Sequence, residues 1–135
     1  MNIPFLGRRR GSPQARDPEG IAELLSECEL LRDHAHRAGV RLDDSADSLE
    51  ALDQLVPGWR DDEEILPWLG NDAGLYLGTV LVRTVPEARW VIREDGQPVV
   101  RLVTGREFDV VAAGQEWAAS GVPELSQLYA EVAES

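Results

Sequence analysis

The sequence predicts an α+β fold, with about five helices around a central glycine-bearing helix and one antiparallel β-hairpin between the third and fourth helices. Three observations carry that expectation. Behind Asp17 the apolar residues recur in steps of three and four, residues 71–85 form an apolar run with two glycines four apart, and residues 88–105 switch to a period of two around a glycine turn. At 135 residues the chain makes one domain, over about 17–135, large enough to bury roughly two-thirds of the surface its unfolded form exposes.

The first helix is expected over about 18–38. Asp17 caps it, Pro18 suits the first helical position, and Glu19 and Glu23 favour the positive end of the dipole. Ile21, Leu24, Cys28, Leu31, Ala35 and Ala38 form one face and Gly39 closes it, which makes Cys28 a buried, structural thiol. A second helix, about 48–56, follows from the Asp47/Glu50 capping box, the Leu49, Leu52 and Val56 stripe, and the Pro57-Gly58 stop. "WRDDEEI" reads as an acidic turn before Pro67.

The run "NDAGLYLGTVLVRTV" admits several readings. Its apolar stretch from Leu75 to Val82 is far shorter than the about twenty residues that span a bilayer. Gly74-x-x-x-Gly78 lacks the tight glycine pair of a dinucleotide-binding turn. A strand stays open, because Val80, Val82 and Thr84 are β-branched. A central helix from 67 or 72 to 84 is preferred: Asn71 and Asp72 are good caps, Leu69, Ala73, Tyr76 and Val80 share a face, and Val85-Pro86 ends it. Gly74 and Gly78 then admit a second backbone at close range, at about 1 kcal/mol each in helix propensity.

"ARWVIREDGQPVVRLVTG" is a hairpin whose register can be argued. A two-residue Asp95-Gly96 turn would mix Trp90, Ile92, Val99 and Arg101 on one face. A three-residue Glu94-Asp95-Gly96 loop instead sets Trp90 opposite Val100 and Ile92 opposite Pro98, with Leu102 beside them. It gathers Arg89, Val91, Arg93, Val99 and Arg101 on the other face. The three-residue loop is the expectation, with Trp90 buried and Arg101 not. After Gly105 the helical period returns behind Asp109 as cap, with Val110, Ala113, Gly114 and Trp117 as its stripe and Gly121 at its end. Pro123 opens a last helix with Leu125, Leu128, Tyr129 and Val132 inward.

Charge restricts the partners. Residues 1–16 hold four arginines and no acid, which takes the formal charge from −12 for the whole chain to −16 for residues 17–135. A body so acidic repels phosphate backbones, so nucleic acid is not an expected partner. The leader reads as a disordered basic tail. It has neither the apolar core of a secretory signal nor a hydrophobic stretch after "RRR", and at most touches an anionic membrane weakly, without stable insertion. One cysteine excludes an internal disulfide and fits a cytoplasmic protein. All thirteen basic residues are arginine, a usage associated with high-GC bacterial genomes.

No motif specifies a catalytic residue, a metal or a cofactor. "DDSAD" matches the Asp-Asp-x-x-Asp of isoprenoid synthases, but those enzymes need a large helical cavity and a second motif, whereas capping and a solvated turn explain the residues here. His34 and His36, two apart on a helix, point to different faces. Asp61 to Glu64 form a solvated acidic run, and the serines lack a nucleophile elbow. Trp59, Trp68, Trp90 and Trp117 are core anchors by default, with one or two left for a partner surface.

The stretches "RDPEGIAELLSECELLR", "LPWLGNDAGLYLGTVLVRTVPEARW", "PVVRL" and "SGVPELSQLYAEV" resemble an uncharacterised actinobacterial family of small acidic proteins, over nearly the whole chain. The Gly-x-Tyr-Leu-Gly-x-Val helix followed by a Trp-bearing hairpin also resembles a wider set of bacterial domains of unknown function. In that set the residue after the second glycine is often Glu; here it is Thr79. The resemblance implies a mixed α and β fold and a helix over 72–84, and brings no activity.

The functional expectation is a non-enzymatic intracellular module that binds a protein or regulates one, through the arginine face of the hairpin: Arg89, Val91, Arg93, Val99 and Arg101. Arginine among apolar residues suits an interface. Two alternatives stay open, a homo-oligomer pairing through the hairpin's edges and a small enzyme using scattered carboxylates.

Overall fold

The computed structural model describes residues 18–134; the leader 1–16, expected as a disordered tail, lies outside them. The chain is α+β. Its elements are α1 (Pro18–Leu25), α2 (Glu29–Arg37), α3 (Ala46–Trp59), α4 (Leu66–Thr84), β1 (Arg89–Ile92), β2 (Pro98–Arg101), β3 (Glu107–Phe108), α5 (Val110–Ser120) and α6 (Leu125–Ala133). α4 packs against each of the other five helices and against β1 and β2.

The helix expected over 18–38 is two helices. Cys28 takes the left-handed conformation, with φ 40°, and breaks it while remaining buried. Two tertiary partners compensate for the break. Arg32 donates to the carbonyls of Ser26 (2.9 Å) and Glu27 (3.0 Å), and Asp72 accepts from the Leu31 N–H (3.2 Å) at the start of α2. Asp72 was expected to cap its own helix. α4 begins six residues earlier, at Leu66, so the carboxylate is free to cap a neighbour instead. α3 likewise starts ahead of the Asp47 capping box: Ser45 is the cap, accepting from Ser48 N (3.3 Å), and the helix runs through Pro57 to Trp59.

α4 and α5 cross at backbone contact. A Cβ on Gly114 would lie 2.7 Å from Gly74 Cα, and one on Gly74 would lie 2.8 Å from Val111 Cα. One turn further along α4, a Cβ on Gly78 would lie 2.7 Å from Trp90 Cζ2, so the hairpin's indole fills the place of a side chain. Asp53 fixes the opposite side of α5. Its buried carboxylate accepts from Trp117 Nε1 (2.8 Å), Leu125 N (2.9 Å), Ser126 N (3.2 Å) and Ser126 Oγ (2.6 Å), tying α3 to α5 and capping α6. A buried carboxylate is tolerated because four donors replace its water.

Gly114→Ala should therefore lower the free energy of unfolding by about 1–3 kcal/mol or more, since its methyl meets main chain that cannot rotate away. Gly58→Ala, in α3 with no heavy atom within 4 Å of its Cβ, should raise it by about 0.5–1 kcal/mol through helix propensity. Urea midpoints of the two variants against the parent check the pair; equal midpoints would contradict the close crossing.

Candidate functional site

The sheet has the order β1-β2-β3, antiparallel throughout. β1 and β2 pair Arg89 with Arg101, Trp90 with Val100, Val91 with Val99 and Ile92 with Pro98. That is the register of a three-residue loop, closed by Arg93 N donating to Gln97 O (2.9 Å) with Gly96 at φ 87°. Hydrogen-bonded pairs alternate along an antiparallel ladder, so Arg89, Val91 and Arg93 turn their main-chain groups toward β2 while Trp90 and Ile92 turn theirs to the outer edge. Pro98 needs no N–H there, because its missing donor would point past the end of β3.

The same loop recurs a few residues later. Leu102 N donates to Arg106 O (2.8 Å) and Gly105, at φ 93°, donates to Leu102 O (2.8 Å), repeating the geometry around Gly96. Phe108 thereby pairs with Val100 and Glu107 with Arg101. The expected single hairpin is thus a three-stranded sheet, and β3 places Glu107 on the arginine face.

The expected site residues occupy unequal positions on that face. Arg101 Nη2 lies 2.5 Å from Glu107 Oε2, with its Nε at 3.1 Å. Arg93 reaches Glu107 Oε1 at 3.6 Å and Asp109 Oδ2 at 4.0 Å, a looser attachment. Val91 is half-buried. Val99, expected as part of the partner surface, is fully buried, so it lies beneath the surface on which Arg93, Glu107 and Arg101 pair and is not open to a partner. Arg89 is exposed and makes no ion pair among the described residues. It lines a shallow groove of about 440 Å³ with Glu87, Arg101, Leu102, Val103 and Gly105.

On the other face Trp90 is half-buried, while Ile92, at the tip, is 42% exposed. Trp90 forms one wall of a groove of about 350 Å³ between α1, α4 and β1, with Ala22, Glu23, Thr79, Val82 and Arg83. Sequence reasoning missed this groove. Its residues come from three separated segments, and only Gly78 in α4, which seats Trp90, hinted at it.

The chemistry-bearing groups elsewhere serve the fold. Cys28 Sγ donates to Asp72 O (3.4 Å), and burial, reinforced by the Asp72 charge, pushes its thiol up to about 12. Burial also raises the Asp72 carboxyl, against the Leu31 and Leu30 N–H groups that lower it. In "DDSAD" the carboxylates diverge: Asp43 bonds Ser45, Asp44 pairs with Arg32 (3.0 Å) and Arg83 (3.2 Å), and Asp47 lies in the first turn of α3. Buried Tyr76 accepts from Asp44 N (2.8 Å) and donates to Ser48 Oγ (2.6 Å), whose own hydrogen goes to Ser45 O. Arg32 covers the Tyr76 ring at 5.2 Å. Among the described residues no group of three or more His, Cys, Asp or Glu is placed to hold a metal, and no helix is long and apolar enough to cross a membrane.

A family model described as a family of unknown function (DUF6278) matches residues 1–135. The chain belongs to that family. Neither a curated protein nor a solved structure matches it. Within this DUF6278 chain the sheet and its two grooves are therefore assessed on geometry alone.

The hydrogen bond from Arg101, ahead of its charge and that of Arg93, holds the Glu107 carboxyl below the usual carboxylate range. The stabilisation from a depressed carboxyl is complete above its unfolded value and disappears as pH falls through the folded one. A carboxyl-detected NMR titration should find Glu107 titrating below the ordinary glutamate value of 4.5, and Arg101→Ala should move it upward. An unmoved midpoint would show that the bridge does not form.

Proposed function

We propose that the protein is a non-enzymatic bacterial module that works in the cytoplasm by binding another protein through the arginine face of its sheet. The observation that carries the reading is the contrast among the three arginines. Arg93 and Arg101 are held by Glu107 and Asp109, whereas Arg89 stands exposed beside them and makes no ion pair among the described residues, although Glu87 lines its groove. The Arg101 guanidinium held by Glu107, the looser pairs of Arg93 and buried Val99 give the face rigidity, and Arg89 gives it an unsatisfied charge. A rigid surface with one available arginine loses little side-chain entropy on binding.

Other features support this reading over an enzyme. Among the described residues, the one carboxyl raised in pKa, Asp72, accepts main-chain N–H groups at the start of α2. The grooves beside Trp90 and Arg89 each bring in a single acid, Glu23 and Glu87. A buried thiol without a disulfide partner accords with a reducing compartment.

Affinity capture from a native lysate with wild type, Arg89→Ala and Arg37→Ala tests the reading. Arg37 pairs with Asp33 on the exposed face of α2, far from the sheet in the chain, and serves as the control. A co-purifying protein should be lost with Arg89→Ala and kept with Arg37→Ala. Equal recovery by all three would contradict the proposed surface.

A further inference from the structure

β1 is an edge strand. β3 closes the far side of β2, but nothing among the described residues accepts or donates at the outward N–H and C=O groups of Trp90 and Ile92. An open edge of this kind is a template for another strand. Natural edges are often blocked by a lysine, a bulge or a covering loop. Here α1 packs against β1 on the Trp90 side without hydrogen-bonding to it, and the side chains along the edge alternate: Trp90 and Ile92 on the groove face, Arg89, Val91 and Arg93 on the other.

We propose that β1 takes up an extended segment of another protein as a fourth strand, with a carboxylate of that segment on Arg89 and an apolar side chain in the groove beside Trp90. This rests on the binding reading above and specifies its partner. Side chains of an added strand alternate as those of β1 do, so one set falls beside Arg89 and Val91 and the other beside Trp90. The groove there, about 350 Å³ between Ala22, Thr79, Val82 and Trp90, has room for an aliphatic side chain. Arg89 selects an acid. Arg93 adds little to that choice, since Glu107 and Asp109 already face it and Glu94 and Asp95 follow it in the loop. Glu87 lines the Arg89 groove but forms no ion pair with it.

A second copy of the chain fits the edge less well. A two-fold pair of β1 strands is antiparallel, and the outward groups at 90 and 92 allow three registers. Pairing Trp90 with Ile92 of the other copy sets Arg89 against its Arg93, like charges directly opposed. Pairing Trp90 with Trp90 sets Arg89 against Val91. Pairing Ile92 with Ile92 sets Val91 against Arg93 and carries Arg89 beyond the paired residues of β1. Only that last register brings a carboxylate level with Arg89, that of Asp95, and it does so in the turn beyond the ladder, where Asp95 Oδ1 already accepts from Gln97 N (2.9 Å).

The test uses labelled peptides of about six residues, a usual strand length, with Leu and Thr on one face and Val and Glu on the other, and a counterpart with Lys for Glu. Fluorescence anisotropy with the full chain should find the Glu peptide bound about tenfold or more tightly than the Lys peptide, as one charge-assisted contact implies. Arg89→Ala should abolish that preference. Ile92→Pro removes one outward N–H and leaves the ladder to β2 intact, and should weaken the Glu peptide by about tenfold. In the parent protein the Trp90 and Ile92 amides should also slow in hydrogen exchange when the Glu peptide is added, a readout that does not depend on the proline variant folding. Loss of binding in Arg89→Ala without any change in Ile92→Pro or in those amides would overturn strand addition while leaving the arginine face as the binding surface. Equal binding of the Glu and Lys peptides, or a dimer in sedimentation that Ile92→Pro dissolves, would overturn the proposed partner.

Discussion

The crossing of α4 with α5 and the seat of the hairpin are both set by how closely other groups approach the glycine face of α4. Gly70, Gly74 and Gly78 lie four residues apart, so they stack along one side of the helix. The first two admit the backbone of α5 at Gly114 and Val110–Val111, and the third admits the Trp90 ring. Each glycine weakens the helix by about 1 kcal/mol. The loss is offset by dispersion contacts along a long buried crossing and by an indole held against main chain. Asp53 then holds α5 from its other side, so the helix is fixed between a steric contact and a set of hydrogen bonds.

From that arrangement the character of the sheet follows. Seating Trp90 on Gly78 turns the even-numbered side chains of β1 toward α4 and the odd-numbered ones to the opposite face. The arginines are thereby collected on one surface of a strongly acidic molecule, where Glu107 and Asp109 neutralise two of them. What is left is local: one exposed guanidinium, one open strand edge and one groove, all within β1 and its immediate neighbours. The net charge of the chain describes its surroundings in solution but says little about this patch, because charges more than about 8–10 Å away are largely screened at physiological salt.

The sequence shows most clearly those features that depend on nearby residues. The hairpin loop is legible because the two candidate turns sort the side chains differently, and the α5 boundaries are legible because Asp109 and Gly121 are local signals at each end. Cys28 is read correctly as buried, yet the break in the chain at that residue is not, since its compensation comes from Arg32 carbonyl contacts and from Asp72, more than forty residues away. Asp72 misleads for the same reason: a carboxylate that looks like a cap does cap a helix, but a different one. β3 is too short to show periodicity, and its one signal is a second glycine-closed loop at Gly105. Missing it hides Glu107, and with it the distinction between the two fixed arginines and Arg89. The groove beside Trp90 is not legible at all, because α1, α4 and β1 meet there only through tertiary packing.

The glycine face of α4 can be observed directly in solution. In a nuclear Overhauser experiment on the full chain, the account predicts cross-peaks between the Trp90 indole ring protons and the Gly78 α protons, and between the α protons of Gly74 and Gly114. If the Trp90 ring shows contacts only to solvent-facing groups, or if Gly74 and Gly114 show none to each other, α4 does not seat the hairpin and α5 as described, and the placement of the β1 edge fails with it.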